Sequence, residues 1–152
     1  MKRIITLTLS AVLLLSAPAP GAELPKRKSG LWEMKVKVDG GVAMPALQHC
    51  VDGAQDDLLG ESSADCSKRE VRKDGERWVA DLVCKVEGST ATSRMVITGS
   101  FDGAYRVESK TSYEPPYKGV KESSLVQEAK FLGPCKPGQK PGDLVPQMGF
   151  GR

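Results

Sequence analysis

The segment 66–84, CSKREVRKDGERWVADLVC, decides the fold. It reads as two strands around a turn, with Trp78, Ala80, Leu82 and Cys84 alternating onto one face of the second strand. Asp74-Gly75 is a strong hairpin signal. A three-residue loop of Asp74, Gly75 and Glu76 places Cys66 directly opposite Cys84. A two-residue loop leaves them one position out of register, which a bulge absorbs. Either way the two cysteines are close. The chain has 4 cysteines, an even number that reads as two disulfides in a small exported domain, with three pairings available. Pairing Cys66 with Cys84 leaves Cys50 with Cys135. In the chain-entropy model the short loop contributes about 3 kcal/mol and the long one about 4.5 kcal/mol.

Outward from this hairpin, the same alternation recurs. Trp32, Met34, Val36 and Val38 point one way and Glu33, Lys35 and Lys37 the other, followed by the turn signal Asp39-Gly40-Gly41. A second strand resumes over Val42 to Val51, with Pro45 marking an edge or an irregularity. Asp52 to Gly60 is the one segment that reads as a short helix. Beyond the hairpin, Thr90 to Phe101 is a long strand, and Asp102-Gly103 turns it into a strand carrying Tyr105, Val107, Ser109 and Thr111. Tyr113 to Gly119, with Pro115-Pro116, reads as a loop, and Glu122 to Leu132 as a last strand. The pattern predicts an all-β, mainly antiparallel single domain: a curved meander sheet or open barrel of six to seven strands with one short helix and two disulfides. A strongly curved sheet encloses a concave face, the natural place for a ligand.

The ends frame this domain. Lys2 and Arg3, the apolar run Ile4 to Leu15 and the small residues up to Ala22 form the three-part pattern of a secretory signal peptide. The run is shorter than the roughly 20 residues a membrane span needs, so the mature chain is expected to carry no transmembrane segment and to be periplasmic. The organisation predicted is a signal peptide over 1–22, a basic N-terminal tail over 23–29 that includes Lys26-Arg27-Lys28, the β-rich domain over 30–135, and a disordered Pro/Gly-rich tail over 136–152. The chain has 22 basic and 19 acidic residues, and two of the basic ones lie in the leader. A nearly neutral mature chain has no electrostatic footprint for nucleic acid.

Catalytic and metal signatures are weak. His49 is the single histidine, and no Cys-x-x-Cys or His-x-x-x-His spacing accompanies it, so no metal site or cofactor is expected. Cys50 in a disulfide offers no thiolate, and an adjacent histidine in a strand points to the opposite face. No Gly-x-Ser-x-Gly nucleophile elbow and no Gly-rich phosphate loop before a helix occurs. The chain is therefore not expected to be an enzyme. Trp32, Met34, Trp78, Met95, Phe101 and Phe131 form an apolar set that reads either as plain core or as the lining of a ligand pocket. Tyr113 to Tyr117 reads as a stiff connector or as a recognition loop held extended by its prolines.

The order of landmarks adds a family resemblance. Gly30-Leu31-Trp32-Glu33 opens the domain, Cys50-Val51 follows, Cys66 precedes a hairpin, a strand runs from Trp78 to Cys84, and Gly133-Pro134-Cys135 closes it. Over about residues 28 to 136 this resembles the bacterial exported family catalogued as domain of unknown function number 3617. The resemblance implies a periplasmic β-rich protein with no assigned activity, and it carries over no catalytic residue. Two functions are then expected to compete. One is a non-enzymatic module that binds a small apolar or lipid-like molecule in its concave sheet. The other is an envelope protein-interaction or stress-related module acting through its sheet edges and the Tyr113–Tyr117 loop.

Overall fold

A computed structural model describes residues 22–60 and 65–147. The signal peptide expected over 1–22 lies, but for Ala22, outside the described residues. The described chain is a single open antiparallel sheet of nine strands, more than the six to seven expected. They are β1 (Gly30–Val38), β2 (Val42–Ala43), β3 (Leu47–Val51), β4 (Cys66–Asp74), β5 (Arg77–Val86), β6 (Ser89–Gly99), β7 (Ala104–Tyr117), β8 (Val120–Gly133) and β9 (Leu144–Pro146). The order across the sheet is β4-β5-β6-β7-β8-β1-β3-β9, with β2 also paired to β1. The sheet does not close into a barrel: β4 and β9 are its two edges.

Local chemistry explains the meander β4–β8. Glu87-Gly88 and Lys118-Gly119 are two-residue loops with positive φ at both positions, the geometry whose twist matches that of the flanking strands. In the β4–β5 hairpin the loop has two residues, since Asp74 pairs with Arg77, and a register shift between Cys66 and Lys68 brings Cys66 opposite Cys84. The bulge thus restores the pairing that a two-residue loop would have missed. Both disulfides are formed as read from the sequence, Cys66–Cys84 and Cys50–Cys135.

Four expectations are corrected. Asp52 to Gly60 is not a helix but a run of turns, because Asp52 and Asp57 each turn a carboxylate onto the backbone N–H two residues ahead, at Ala54 and Leu59. The strand expected over Val42 to Val51 is split into β2 and β3, with Pro45 in the break. Tyr113 to Tyr117 is not a loop: β7 continues to Tyr117, and the ladder to β8 lapses between Ser112 and Tyr117, where the prolines have no N–H to give. The C-terminal segment is not a disordered tail over its described part. Beyond Cys135 it bonds back to β3 through Cys50 N–H to Asp143 (3.0 Å) and Gly142 N–H to Cys50 (2.8 Å), and β9 then adds to the β3 edge.

The sheet has two unlike faces. One carries the core: Trp32, Val51, Ile97, Phe101, Tyr105, Val107 and Ala129 are buried together, with Trp32 fully enclosed. The rings of Tyr105 and Phe131 sit 5.5 and 5.6 Å from Trp32. No helix among the described residues covers this core. Its lid is the segment Leu24 to Ser29 with the turns after Val51, from which Leu24 and Leu58 pack inward. The strand opening β1 must pass close beneath Phe131, and Gly30 permits it: φ is +139°, and a Cβ there would collide with that ring and with the Gly133 carbonyl. The opposite face is set by the alternate residues of the same strands. It bears Glu33, Lys35, Asp81, Arg94, Arg106, Glu108, Lys110 and Glu128, with Leu31 and Val79 as its buried apolar members.

Candidate functional site

Two places concentrate polar chemistry. The first is a buried clasp in the lid. Arg27 donates to Asp56 through its backbone N–H (2.9 Å), through Nε (3.0 and 3.1 Å) and through Nη2 (2.6 Å). Both side chains are about 5 % exposed. Arg27 Nη1 also reaches the Tyr105 hydroxyl at 3.4 Å, to which Gln127 Nε2 donates from the other side at 3.4 Å. The basic tail is thus pinned by Arg27, because a guanidinium meeting a carboxylate in a fork is satisfied out of water. Burial pushes the Asp56 carboxyl up, but the hydrogen bonds and charge of Arg27 outweigh it and hold it below the usual carboxylate range. Burial, then the Arg27 charge, push His49 down against a weaker pull from Asp56. Burial raises the Tyr105 hydroxyl against the opposing pull of Arg27.

A pocket of about 230 Å³ opens beside the clasp, lined by Arg27, His49, Asp52, Gln55 and Asp56 among others. It has the look of an acid–base site, yet Arg27 and Asp56 are already committed to each other and Asp52 to the Ala54 N–H. The His49 ring makes no hydrogen bond to a serine or cysteine among the described residues, and Cys50 next to it is in a disulfide on the other face. No group of three or more His, Cys, Asp or Glu side chains among the described residues is placed to hold a metal ion.

The second place is the charged face. An open groove of about 780 Å³ runs across β4 to β8. Its floor is the backbone of Leu82, Ser93, Thr111 and Ser123, whose side chains turn to the core face. Its walls are the residues on either side of that row: Asp81, Arg94, Lys110 and Ser124 along one side, Lys68, Val83, Thr92, Ser112 and Glu122 along the other. Asp81 anchors one end by taking Arg72 at 2.5 Å and Arg94 at 3.0 Å. The Arg72 hydrogen bond, ahead of every other influence, holds the Asp81 carboxyl below its ordinary range. Asp39 closes the other end by accepting from the Ser124 N–H at 2.6 Å. The walls therefore mix charge and hydroxyl, and the groove is a polar one.

The residues singled out from the sequence lie elsewhere. Trp32 and Phe101 belong to the buried core, and Met34, Trp78, Met95 and Phe131 pack against it. They converge on one cluster. The rings of Tyr113 and Tyr117 pack at a tilt with centroids 5.6 Å apart, and the Tyr117 hydroxyl donates to Glu87, which ties this end of β7 to the neighbouring hairpin. The groove residues were missed because exposed charges on strands read as plain surface. The signal that finds them is the Asp102-Gly103 turn, whose position fixes which residues of β6 and β7 face each other.

Fold and site together define a disulfide-tied all-β domain, an open sheet sealed on one face by its own N-terminal segment and grooved on the other. Residues 27–135 match the model of the family "Protein of unknown function (DUF3617)", and the chain belongs to that family. No curated protein and no solved structure matches the chain. No helix among the described residues is long and apolar enough to cross a membrane.

Proposed function

We propose that this chain is a non-enzymatic binding module that is exported through a cleaved leader to the periplasm and holds a polar ligand in the groove of its charged face. The observation that carries the reading is the division of labour between the faces. The bulky apolar residues that an apolar pocket would need are consumed in the core, while the open recess is walled by charged and hydroxyl side chains. A polar occupant therefore replaces the apolar one expected from the sequence. Two disulfides suit an oxidising compartment, and the leader pattern supplies the route. The absence of enzymatic chemistry is part of the proposal, and it is supported by the self-satisfied clasp around His49. The competing interaction reading has less support. The β4 edge is lined by Lys68, Arg69, Glu70, Arg72 and Lys73, a density of charge that discourages strand addition.

Native mass spectrometry of the protein taken from the periplasm, set against its denatured mass, tests this. The expected result is extra native mass that disappears on denaturation and is lost in a Ser112→Trp variant, whose ring fills the groove without touching the core. Extra mass retained in Ser112→Trp would move the ligand elsewhere, and a bare native mass in the parent would sink the proposal for any tightly held ligand. The denatured mass reports the cleavage site as well.

A further inference from the structure

Charge pairing on the grooved face follows a rule with one exception. Residues directly opposite on neighbouring strands are complementary at Arg106 and Glu128, Lys35 and Glu128, Glu33 and Lys130, and Asp81 and Arg94. Where two acids meet, at Glu70 and Asp81, Lys68 and Arg72 compensate them at 3.1 and 2.5 Å. Arg94 of β6 faces Lys110 of β7, and like charges in this position destabilise a sheet. Arg94 is partly offset by Asp81, but Lys110 has no ion pair among the described residues. Two residues along the same strands, on the same face, Thr92 stands opposite Ser112. Neither hydroxyl makes a hydrogen bond among the described residues, and all four side chains are exposed.

The four residues form a two-by-two block, two cations beside two hydroxyls. Strands lie about 4.8 Å apart and alternate residues about 6.8 Å apart, so the four side chains rise around an area the size of one small tetrahedral or planar anion. Arg and Lys provide charge-assisted donors, and each hydroxyl rotates to donate. Glu122 lies beyond Ser112 and Asp81 beyond Arg94, so the positive block is bounded by acids on both sides, which limits the anion it takes to a small one.

We propose that Arg94, Lys110, Thr92 and Ser112 form a binding site for a small oxyanion, a phosphate or carboxylate group, within the groove. The site rests on the reading of the groove as a ligand site and names the chemistry of part of that ligand. The uncompensated Lys110 opposite Arg94 is the cost in stability that the site carries.

The test is a titration of the isotopically labelled mature protein with sodium phosphate, sodium acetate and the neutral probe glucose, followed by backbone amide shifts. Phosphate or acetate should move the amides of Thr92, Arg94, Lys110 and Ser112 with a Kd on the order of 1–10 mM. Lys110→Glu should weaken this at least tenfold, while its melting temperature rises by about 1–4 °C because an acid now faces Arg94. A merely structural Lys110 would not move the two readouts in opposite directions. Groove shifts with glucose but with neither anion would overturn the oxyanion site and leave the groove reading standing. Silence with all three probes would overturn both. Anion shifts scattered over unrelated lysines would overturn the site as non-specific. If phosphate binds, retention of the protein on phosphatidylglycerol vesicles but not on phosphatidylcholine vesicles assigns the phosphate to a lipid headgroup, and no retention assigns it to a soluble ligand.

Discussion

Replacing Arg27 by methionine keeps an unbranched, mostly aliphatic stem and removes the charge and the fork of donors. Asp56 then loses three hydrogen bonds, two from Nε and one from Nη2, while the backbone N–H of residue 27 remains the one donor still in place. The carboxylate is about 4 % exposed, so water cannot replace what is lost. Breaking a buried pair by removing one partner costs about 3–5 kcal/mol. For a domain of this size that is a fall in melting temperature of roughly 10–20 °C. Asp56→Ala should cost at least as much, because an abandoned aspartate escapes by taking a proton and an abandoned guanidinium does not. The double replacement Arg27→Met with Asp56→Leu should recover most of the loss, since a buried ion pair exchanged for apolar side chains of similar volume is often neutral. Thermal unfolding followed by far-UV circular dichroism reads all three. A single Arg27→Met variant melting within about 2 °C of the parent would refute the reasoning, because it would mean the lid contributes nothing to the fold.

Three further outcomes are expected. Gly53 lies where a Cβ would stand 2.5 Å from the Arg27 carbonyl and 3.1 Å from the Ser29 Oγ, so Gly53→Ala should cost about 1–3 kcal/mol and speed hydrogen exchange at the Lys28 and Gly53 amides, with unchanged exchange counting against the close approach. Removing the disulfide of sequence separation 85 by Cys50→Ala with Cys135→Ala should lower the urea midpoint more than removing the one of separation 18, about 4.5 against 3 kcal/mol, and the reverse order would show that strain rather than loop entropy governs them. Stability should fall with acid in two stages. His49 is depressed in the fold, so the unfolded chain binds its proton first and stability is lost as pH drops below about 6.5, and Asp56, also depressed, adds a second loss as pH drops below about 4 through its lowered folded value. In a His49→Gln variant the first stage should vanish and the second remain.

Much of the sheet was legible because its turns carry their own chemistry. Asp39-Gly40-Gly41, Asp74-Gly75, Glu87-Gly88 and Asp102-Gly103 mark chain reversals, and once these are placed the hairpin partners from β4 to β7 follow, with Cys66 beside Cys84 and Cys50 left for Cys135. What was not legible depends on contacts between distant residues or on polar side chains replacing regular structure. Arg27 and Asp56 are 29 residues apart in segments with no periodicity, so nothing local announces that one buries the other. Asp52 and Asp57 look like helix-starting residues, and they do cap backbone amides, but in turns. Leu144 to Pro146 has the composition of a tail and becomes a strand because the Cys50–Cys135 bond delivers it to the edge of β3. The groove was hidden for another reason: its residues are individually ordinary, and only the β6–β7 register makes neighbours of Arg94 and Lys110.

The place of β1 in the sheet sets a schedule for the newly made chain. The meander β4–β8 grows by adding each strand to the one just before it, but β1 pairs with β8, and Leu31 finds Gly133 as a partner. A chain delivered from its N-terminus must therefore carry the apolar side of β1, Trp32 included, past more than half its length before the seat for it exists. Contacts of such long range slow folding. They also leave a stretch open to misuse in the interval, and Glu33, Lys35 and Lys37, alternating with its apolar residues, are the charges that keep an unseated strand from pairing with another copy of itself.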